Sequence, residues 1–433
     1  MTRTEERLRD ALHASSERVA DDRLRPLPAP EPQAERQARR RQAWRAWLIP
    51  AAAAVSVALV VILAAALTGV PRPATRDSQS PAGAASPRPP EYFADFSGRE
   101  LGQPTGVAVY ATSDGKLIGR ALQPEAPGWT VLPDAVAAAP GDRTFYAEYD
   151  AGRSGTSSVV AQVWIYSFSI TSDGKVTPMT RIKGGVMSGQ AGLGDGGSMA
   201  VSPDGTELAL TADTTVDLNY DTQGYADKVV VIDLRTGRQS VWRGGMYRAG
   251  KVFSIPSLSW TVDGQSLVYL AQWCDFPGPT NPCTGTSGPD GYRDTQVRSI
   301  RIASGGGKLS SGLLLLSQSA RYPVIVAALA GPDGSRLTVL VLSGHLNASG
   351  EWSRVAVEHV TIGGSLLGVD YRAATRGVGG KPDWTWLSAD PSGRYLLFSY
   401  QAASGFVTGW IGQGRVHLLP VKQPYLGYLI SAW

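Results

Sequence analysis

Short runs of apolar, β-branched and aromatic residues recur along residues 92–433, each broken by a turn that contains glycine. Helical periodicity is scarce there, so the pattern predicts a succession of strands and tight turns. Five turns align with one another: Ala138-Ala-Pro-Gly-Asp142, Val201-Ser-Pro-Asp-Gly205, Trp260-Thr-Val-Asp-Gly264, Ala330-Gly-Pro-Asp-Gly334 and Ala389-Asp-Pro-Ser-Gly393. Their third positions, Pro140, Pro203, Val262, Pro332 and Pro391, recur at intervals of 59 to 70 residues. Apolar strands follow them, as in Glu207-Leu-Ala-Leu210, Ser266-Leu-Val-Tyr-Leu270, Arg336-Leu-Thr-Val-Leu340 and Arg394-Tyr-Leu-Leu-Phe398. The repeat unit is a hairpin, because the turn needs a positive φ that glycine adopts at little cost. A second strand type lies between the markers, in Val163–Phe168, Val229–Ile232 and Val297–Ile302, and the runs Gly106–Tyr110 and Phe406–Ile411 bracket the series.

Hairpin pairs repeated in this way suggest the blades of a β-propeller. With its Ser202-Pro-Asp-Gly-Thr-Glu-Leu208 hairpin, the chain resembles TolB-like and tryptophan-aspartate-repeat propellers over most of residues 92–433. That resemblance implies an all-β ring and says little about a ligand. Intervals near 60 residues exceed the usual blade, so long connections between strands are expected. Five markers account for five blades. The C-terminal run Tyr428–Trp433 resembles the strand ahead of each marker, such as Ser257-Leu-Ser-Trp260. A sixth blade assembled from both chain ends is therefore expected, which would pair the edges an open ring leaves bare, with five or seven blades as alternatives.

The N-terminal part reads differently. From Ala46 to Val70 the chain is almost wholly Ala, Val, Leu and Ile, with no charge between Arg45 and Arg72. As a helix it would reach about 37 Å, against a hydrocarbon core of roughly 30 Å. A transmembrane helix at 46–70 is expected, with Trp44 and Trp47 at the interface. Arg36, Arg39, Arg40, Arg41 and Arg45 place residues 1–45 in the cytoplasm by the positive-inside rule, and hence residues 92–433 outside it in the cell membrane. Residues 71–91, rich in Pro, Ala and Ser, form a spacer. The alternative is a cleaved signal peptide, which would need an n-region of about 45 residues and an unusually long apolar core.

Charge adds one exclusion. Of the formal +4, residues 1–47 supply eleven Arg against eight Asp or Glu, so the large domain is close to neutral. It lacks the clustered basic face that phosphate binding requires, and no nucleic-acid partner is expected.

Candidate chemistry is sparse. Cys274 and Cys283 are the only cysteines, nine positions apart in a Pro-rich stretch, and in an oxidising compartment a disulfide between them is expected. Asp213, Asp217, Asn219 and Asp221 are oxygen-rich and partly spaced as a calcium loop, but Thr222 and Lys228 stand where an EF-hand needs Gly and Glu, so a solvated loop is the simpler account. Glu148 and Asp150 share a strand face, as alternate residues do in any sheet, and otherwise suit glycoside hydrolysis. Trp384 and Trp386 could stack on a sugar, although aromatic residues also fill the space between blades. His345, His359 and His417 lack metal spacing, and neither a His-Glu-x-x-His motif nor a Gly-x-Ser-x-Gly elbow occurs. Peptidases that carry such propellers add an α/β-hydrolase domain, for which the sequence leaves no room before Trp433. The expectation is a protein that is not an enzyme and uses no cofactor.

Residues 4–20 carry a narrow apolar stripe of Leu8, Leu12 and Val19 if helical. A helix so short needs a partner surface. The run Glu5-Glu-Arg-Leu-Arg-Asp-Ala-Leu12 resembles the N-terminal segments of membrane-bound partners of extracytoplasmic-function sigma factors, but without the His and Cys pattern of zinc-containing anti-sigma domains. Two functions follow: a membrane-anchored sensor whose tail holds a cytoplasmic sigma factor, or a surface module binding wall polymer or protein, with the tail only an anchor. Bilayer contact and an unidentified extracytoplasmic ligand are common to both.

Overall fold

The structure is a computed structural model that describes residues 88–96, 106–153, 160–188, 198–213, 227–243, 251–275, 294–318, 324–331, 334–346, 352–374, 385–402, 405–421 and 431–432. The chain divides into two units, Met1–Ser78 and Gln79–Trp433, and every described residue belongs to the second. The expected helix at 4–20, the membrane segment 46–70, the arginine run and the stripe Leu8, Leu12, Val19 lie outside the described residues. Among the described residues no helix is long and apolar enough to cross a membrane.

The second unit is an all-β, six-bladed propeller. Blade 1 opens with β1 (Tyr92–Asp95), β2 (Gly106–Ala111) and β3 (Leu117–Leu122). Blade 2 is β4 (Thr130–Ala138), β5 (Thr144–Arg153), β6 (Val160–Ser169) and β7 (Thr180–Ser188). Blade 3 is β8 (Met199–Val201), β9 (Glu207–Asp213), β10 (Asp227–Asp233) and β11 (Gln239–Arg243). Blade 4 is β12 (Lys251–Trp260), β13 (Ser266–Asp275), β14 (Asp294–Arg301) and β16 (Leu313–Ser317), while β15 (Gly307–Lys308) crosses to pair in parallel with β11. Blade 5 is β17 (Val324–Ala330), β18 (Arg336–Leu346), β19 (Trp352–Thr361) and β20 (Leu366–Ala374). Blade 6 is β21 (Thr385–Ala389), β22 (Leu396–Ala402), β23 (Gly405–Gly412) and β24 (Arg415–Leu419). Finally β25 (Ser431–Ala432) returns to blade 1 as its innermost strand, with Ala432 opposite Ala94 and Ser431 opposite Asp95. The expected sixth blade from both chain ends is thus present.

All five aligned turns join the first and second strands of a blade, and Asp204, Asp263 and Asp390 each accept hydrogen bonds from their own turn. Ser202 and Thr261 donate their hydroxyls to Asp204 and Asp263, each at 2.6 Å. These turns occupy one face of the ring. The connections between second and third strands, from 403–404 up to 276–293, leave from the other face, which accounts for the long intervals between markers.

First strands touch in the cyclic order β25, β4, β8, β12, β17, β21 and back to β25. Six clusters of buried side chains fill the six gaps between blades, from Phe145 and Tyr149 between blades 1 and 2 to Phe93, Tyr395 and Leu397 between blades 6 and 1. A strand with a blade on either side is buried on both faces, so β17 is apolar and buried throughout, whereas the outer strand β20 alternates. Around the rim, the outer strand of one blade packs on a turn of the next: the Gly363 N–H donates to Leu315 C=O at 2.8 Å, and Gln239 Nε2 to Gly184 C=O at 2.7 Å. The chain enters on the turn face, where Arg143 of the first aligned turn pairs with Glu91 at 2.7 Å.

Candidate functional site

Each first strand pairs with its second strand on one edge and turns the other edge to the axis, where backbone groups need other partners. Serines from neighbouring blades supply them. Ser198 Oγ accepts the Leu258 N–H at 2.8 Å, Ser259 Oγ accepts the Ala330 N–H at 3.3 Å, and Ser257 Oγ both donates to and accepts from Ala328 at 3.3 Å. Trp260 Nε1 donates to Ala200 C=O at 3.0 Å. Blades 3, 4 and 5 are laced together at the axis in this way.

A cavity of about 80 Å³ opens beside this lacing on the turn face, lined by Ser198, Ser257, Ser259, Trp260, Trp386 and Ser388 among others. Trp386 and Ser388 occupy alternate positions of β21, so both project to the same side. The Trp386 ring also packs against the cluster between blades 1 and 2 and so floors the axis. Unlike their counterparts on blade 4, Trp386 Nε1 and Ser388 Oγ are buried with no hydrogen-bond partner among the described residues. Each leaves a donor unmet, an indole N–H on one and a hydroxyl on the other. At this size the cavity takes a small group or a few waters, not a drug-sized molecule, which needs about 300 Å³ or more.

A second polar group lies between blades 5 and 6. Thr338 Oγ1 is 3.0 Å from His359 Nδ1, and His359 Nε2 is 2.7 Å from Asp370 Oδ2, across β18, β19 and β20. The order hydroxyl, imidazole, carboxylate is that of a nucleophile with its base. Thr338 is only 3% exposed, so its hydroxyl is shut away from any substrate, and the chain of bonds ties three strands. Three strands bring these residues together from positions that show no spacing in the sequence.

The remaining sequence candidates fall as follows. Glu148 and Asp150 do share a face of β5, but Glu148 is fully buried within the blade, which does not suit it to acid catalysis on a bound sugar. Asp213 closes β9, while Asp217, Asn219 and Asp221 lie outside the described residues, as do Trp384 and Cys283. Cys274 belongs to β13. Among the described residues no group of three or more His, Cys, Asp or Glu could hold a metal. The turn carboxylates are committed locally: hydrogen bonds from Thr261 and the Gln265 N–H hold Asp263 below the ordinary carboxylate range. Burial pushes Asp204 up, but bonds from Ser202 and Thr206 outweigh it and leave it lowered.

No protein-family model matches the sequence, and no curated protein matches it. Similar solved structures include a Pyrococcus horikoshii acylaminoacyl peptidase, at 12% identity and a TM-score of 0.37, covering 67% of this chain and 39% of that one. Another is a Penicillium chrysogenum α-L-arabinanase complexed with arabinobiose, at 12% identity and a TM-score of 0.41, covering 72% and 85%. A polysaccharide lyase follows at 12% and 0.37, covering 78% and 90%. The chain spans less than half the length of the peptidase. These proteins are enzymes, which corrects the expectation that this chain is not one: a propeller of this kind gives no ground for excluding catalysis. Likeness at this level carries over none of their activities, and it adds nothing for the TolB-like or sigma-factor-partner resemblances.

Proposed function

We propose that this chain is a membrane-anchored binding protein whose extracytoplasmic propeller takes a small acceptor-bearing group of its ligand, a carboxylate or hydroxyl, into the axial cavity. The observation that carries it is the pair Trp386 Nε1 and Ser388 Oγ, buried at the cavity and unpartnered while the equivalent groups of blade 4 are bonded. Leaving two such groups unmet costs about 1–3 kcal/mol each, which a bound acceptor would return as affinity. The apolar run 46–70 and the Arg36–Arg45 cluster support the anchor and its direction. The stripe Leu8, Leu12, Val19 supports a cytoplasmic sigma factor as the tail's partner, which would make the protein a sensor. If the tail has no partner, a surface module for wall polymer or protein remains.

For the propeller, full-length protein in detergent is melted with acetate, glycerol and monosaccharides. A gain in Tm for wild type that Trp386→Phe loses supports the axial site, because phenylalanine keeps the ring packing and removes the donor; an equal gain in the variant rules it out. For the tail, Leu8→Asp should abolish co-purification of a sigma factor, and unchanged recovery would leave it a mere anchor.

A further inference from the structure

Blade 6 meets its neighbour at the axis differently from blade 5. The N–H groups of Thr261, Gly331 and Asp390 each bond back to the start of the second strand, at 2.9, 2.9 and 3.0 Å, so these three residues hold the same position. Hydrogen bonding alternates along an antiparallel pair, so the residues one and three places earlier turn their backbone groups to the axis instead. On blade 5 these are Ala330 and Ala328, whose N–H groups are met by Ser259 and Ser257 of blade 4. On blade 6 they are Ala389 and Leu387. Here blade 5 carries Leu329 and Ala327 where blade 4 has its serines, and hydrocarbon side chains accept nothing.

The whole of this edge, from Trp386 to Asp390, lines the axial cavity. It brings the N–H donors and C=O acceptors of Leu387 and Ala389 together with the Trp386 indole N–H and the Ser388 hydroxyl, both unmet among the described residues. Donors and acceptors are therefore mixed, but charge is scarce. Among the described residues that line the cavity none is Lys, Arg or His, and Asp390 is the one carboxylate. Asp390 Oδ1 accepts the Arg394 and Tyr395 N–H groups at 2.9 and 2.8 Å, and Oδ2 accepts the Ser392 hydroxyl at 2.5 Å. Its negative charge thus stays with its own turn at the mouth. Asp204 and Asp263 stand on the same face of the ring, both with carboxyls held below the ordinary range.

On the strength of the axial site described above, we propose that the cavity selects an uncharged polyol, taking the hydroxyl-bearing end of a glycerol-like chain or a sugar, and refuses carboxylates. A hydroxyl both accepts and donates, so it can take the Trp386 N–H and still give its own proton to a backbone carbonyl of the axial edge. A carboxylate only accepts. In this cavity it would lie against carbonyl oxygens and beside Asp390, desolvated and with no cation to balance it. The turn carboxylates outside also disfavour its approach. At about 80 Å³ the cavity admits the end of such a molecule and leaves the rest at the mouth.

Glycerol and glycerate differ by the exchange of one hydroxymethyl group for a carboxylate, which makes them matched probes. Full-length protein in detergent is melted across a concentration series of each at constant ionic strength, as wild type, Trp386→Phe and Ser388→Ala. Exclusion of the solute from the protein surface raises Tm alike in all three, so the signal is the additional, saturating rise in wild type. That excess over each variant should reach about 2 °C with glycerol and be absent with glycerate. An excess with glycerate, alone or alongside glycerol, overturns the selection for an uncharged group and leaves the axial site standing. No excess with either compound removes the axial site itself, and the polyol with it.

Discussion

Close backbone approaches decide which glycines the propeller needs. Gly184 of β7 has φ of +72°, and a Cβ built there would lie 2.3 Å from the Gly237 carbonyl oxygen on the neighbouring blade. Gly174 also has positive φ, at +81°, but nothing stands within 4 Å of its would-be Cβ. Alanine at either site meets the left-handed backbone cost of about 1–2 kcal/mol. At Gly184 it must also push two backbones apart, for which overpacking suggests about 1–3 kcal/mol more. Gly184→Ala should therefore lower the melting temperature clearly more than Gly174→Ala, and equal shifts would show that blades 2 and 3 do not need this contact. Side chains at the axis follow the same logic of neighbours. Ser198, Ser257 and Ser259 matter because the N–H groups of the next blade find them, not because of anything beside them in the chain.

At the scale of single elements the aligned turns carry a pH signature. Asp263 is held below the ordinary carboxylate range by Thr261 and the Gln265 N–H, and Asp204 ends lowered as well. A depressed folded pKa contributes stability that is present above the unfolded value, near 3.9, and is lost as pH falls through the folded value. The double variant Asp204→Asn, Asp263→Asn should therefore show a shallower fall in Tm below about pH 4 than wild type. Parallel curves would mean that the turns contribute nothing to acid sensitivity. These same turns were the legible part of the fold, since proline, aspartate and glycine at fixed positions encode a hairpin locally. The strands after them were legible too, and Ser266 and Arg336 open β13 and β18 where the pattern puts them. The axial cavity was not, because its lacing joins residues 60 and 71 positions apart. Those separations match the marker intervals, so serines at fixed offsets ahead of each turn were the available signal. Thr338, His359 and Asp370 gave no such signal, since only strand register brings them together.

For the whole propeller the decisive contact is the one between its ends. A row of blades in which each touches only its neighbours behaves as a one-dimensional array, and such arrays fray from their terminal units. Closing the row gives every blade two neighbours and removes the ends. Here closure rests on β25, which pairs with β1 and touches β4 on one side and β21 and β22 on the other. Without it, the β1 edge at Ala94 and Asp95 loses its partner, and the ring of first strands is broken beside Trp386. Because residues 94 and 432 are so far apart in sequence, this join carries a large loop-closure entropy and should form late in folding. Deleting Tyr425–Trp433 should accordingly lower the melting temperature and broaden the transition, as blades 1 and 6 fray ahead of the rest. Trp410 and Tyr395 of blade 6 should become exposed to solvent before Trp242 and Trp273, which lie between blades 3 and 4. Melting followed by hydrogen exchange on the deleted and intact chains reads both effects; a deletion that melts as sharply and as high as the intact chain would show that the ring does not depend on its C-terminal strand.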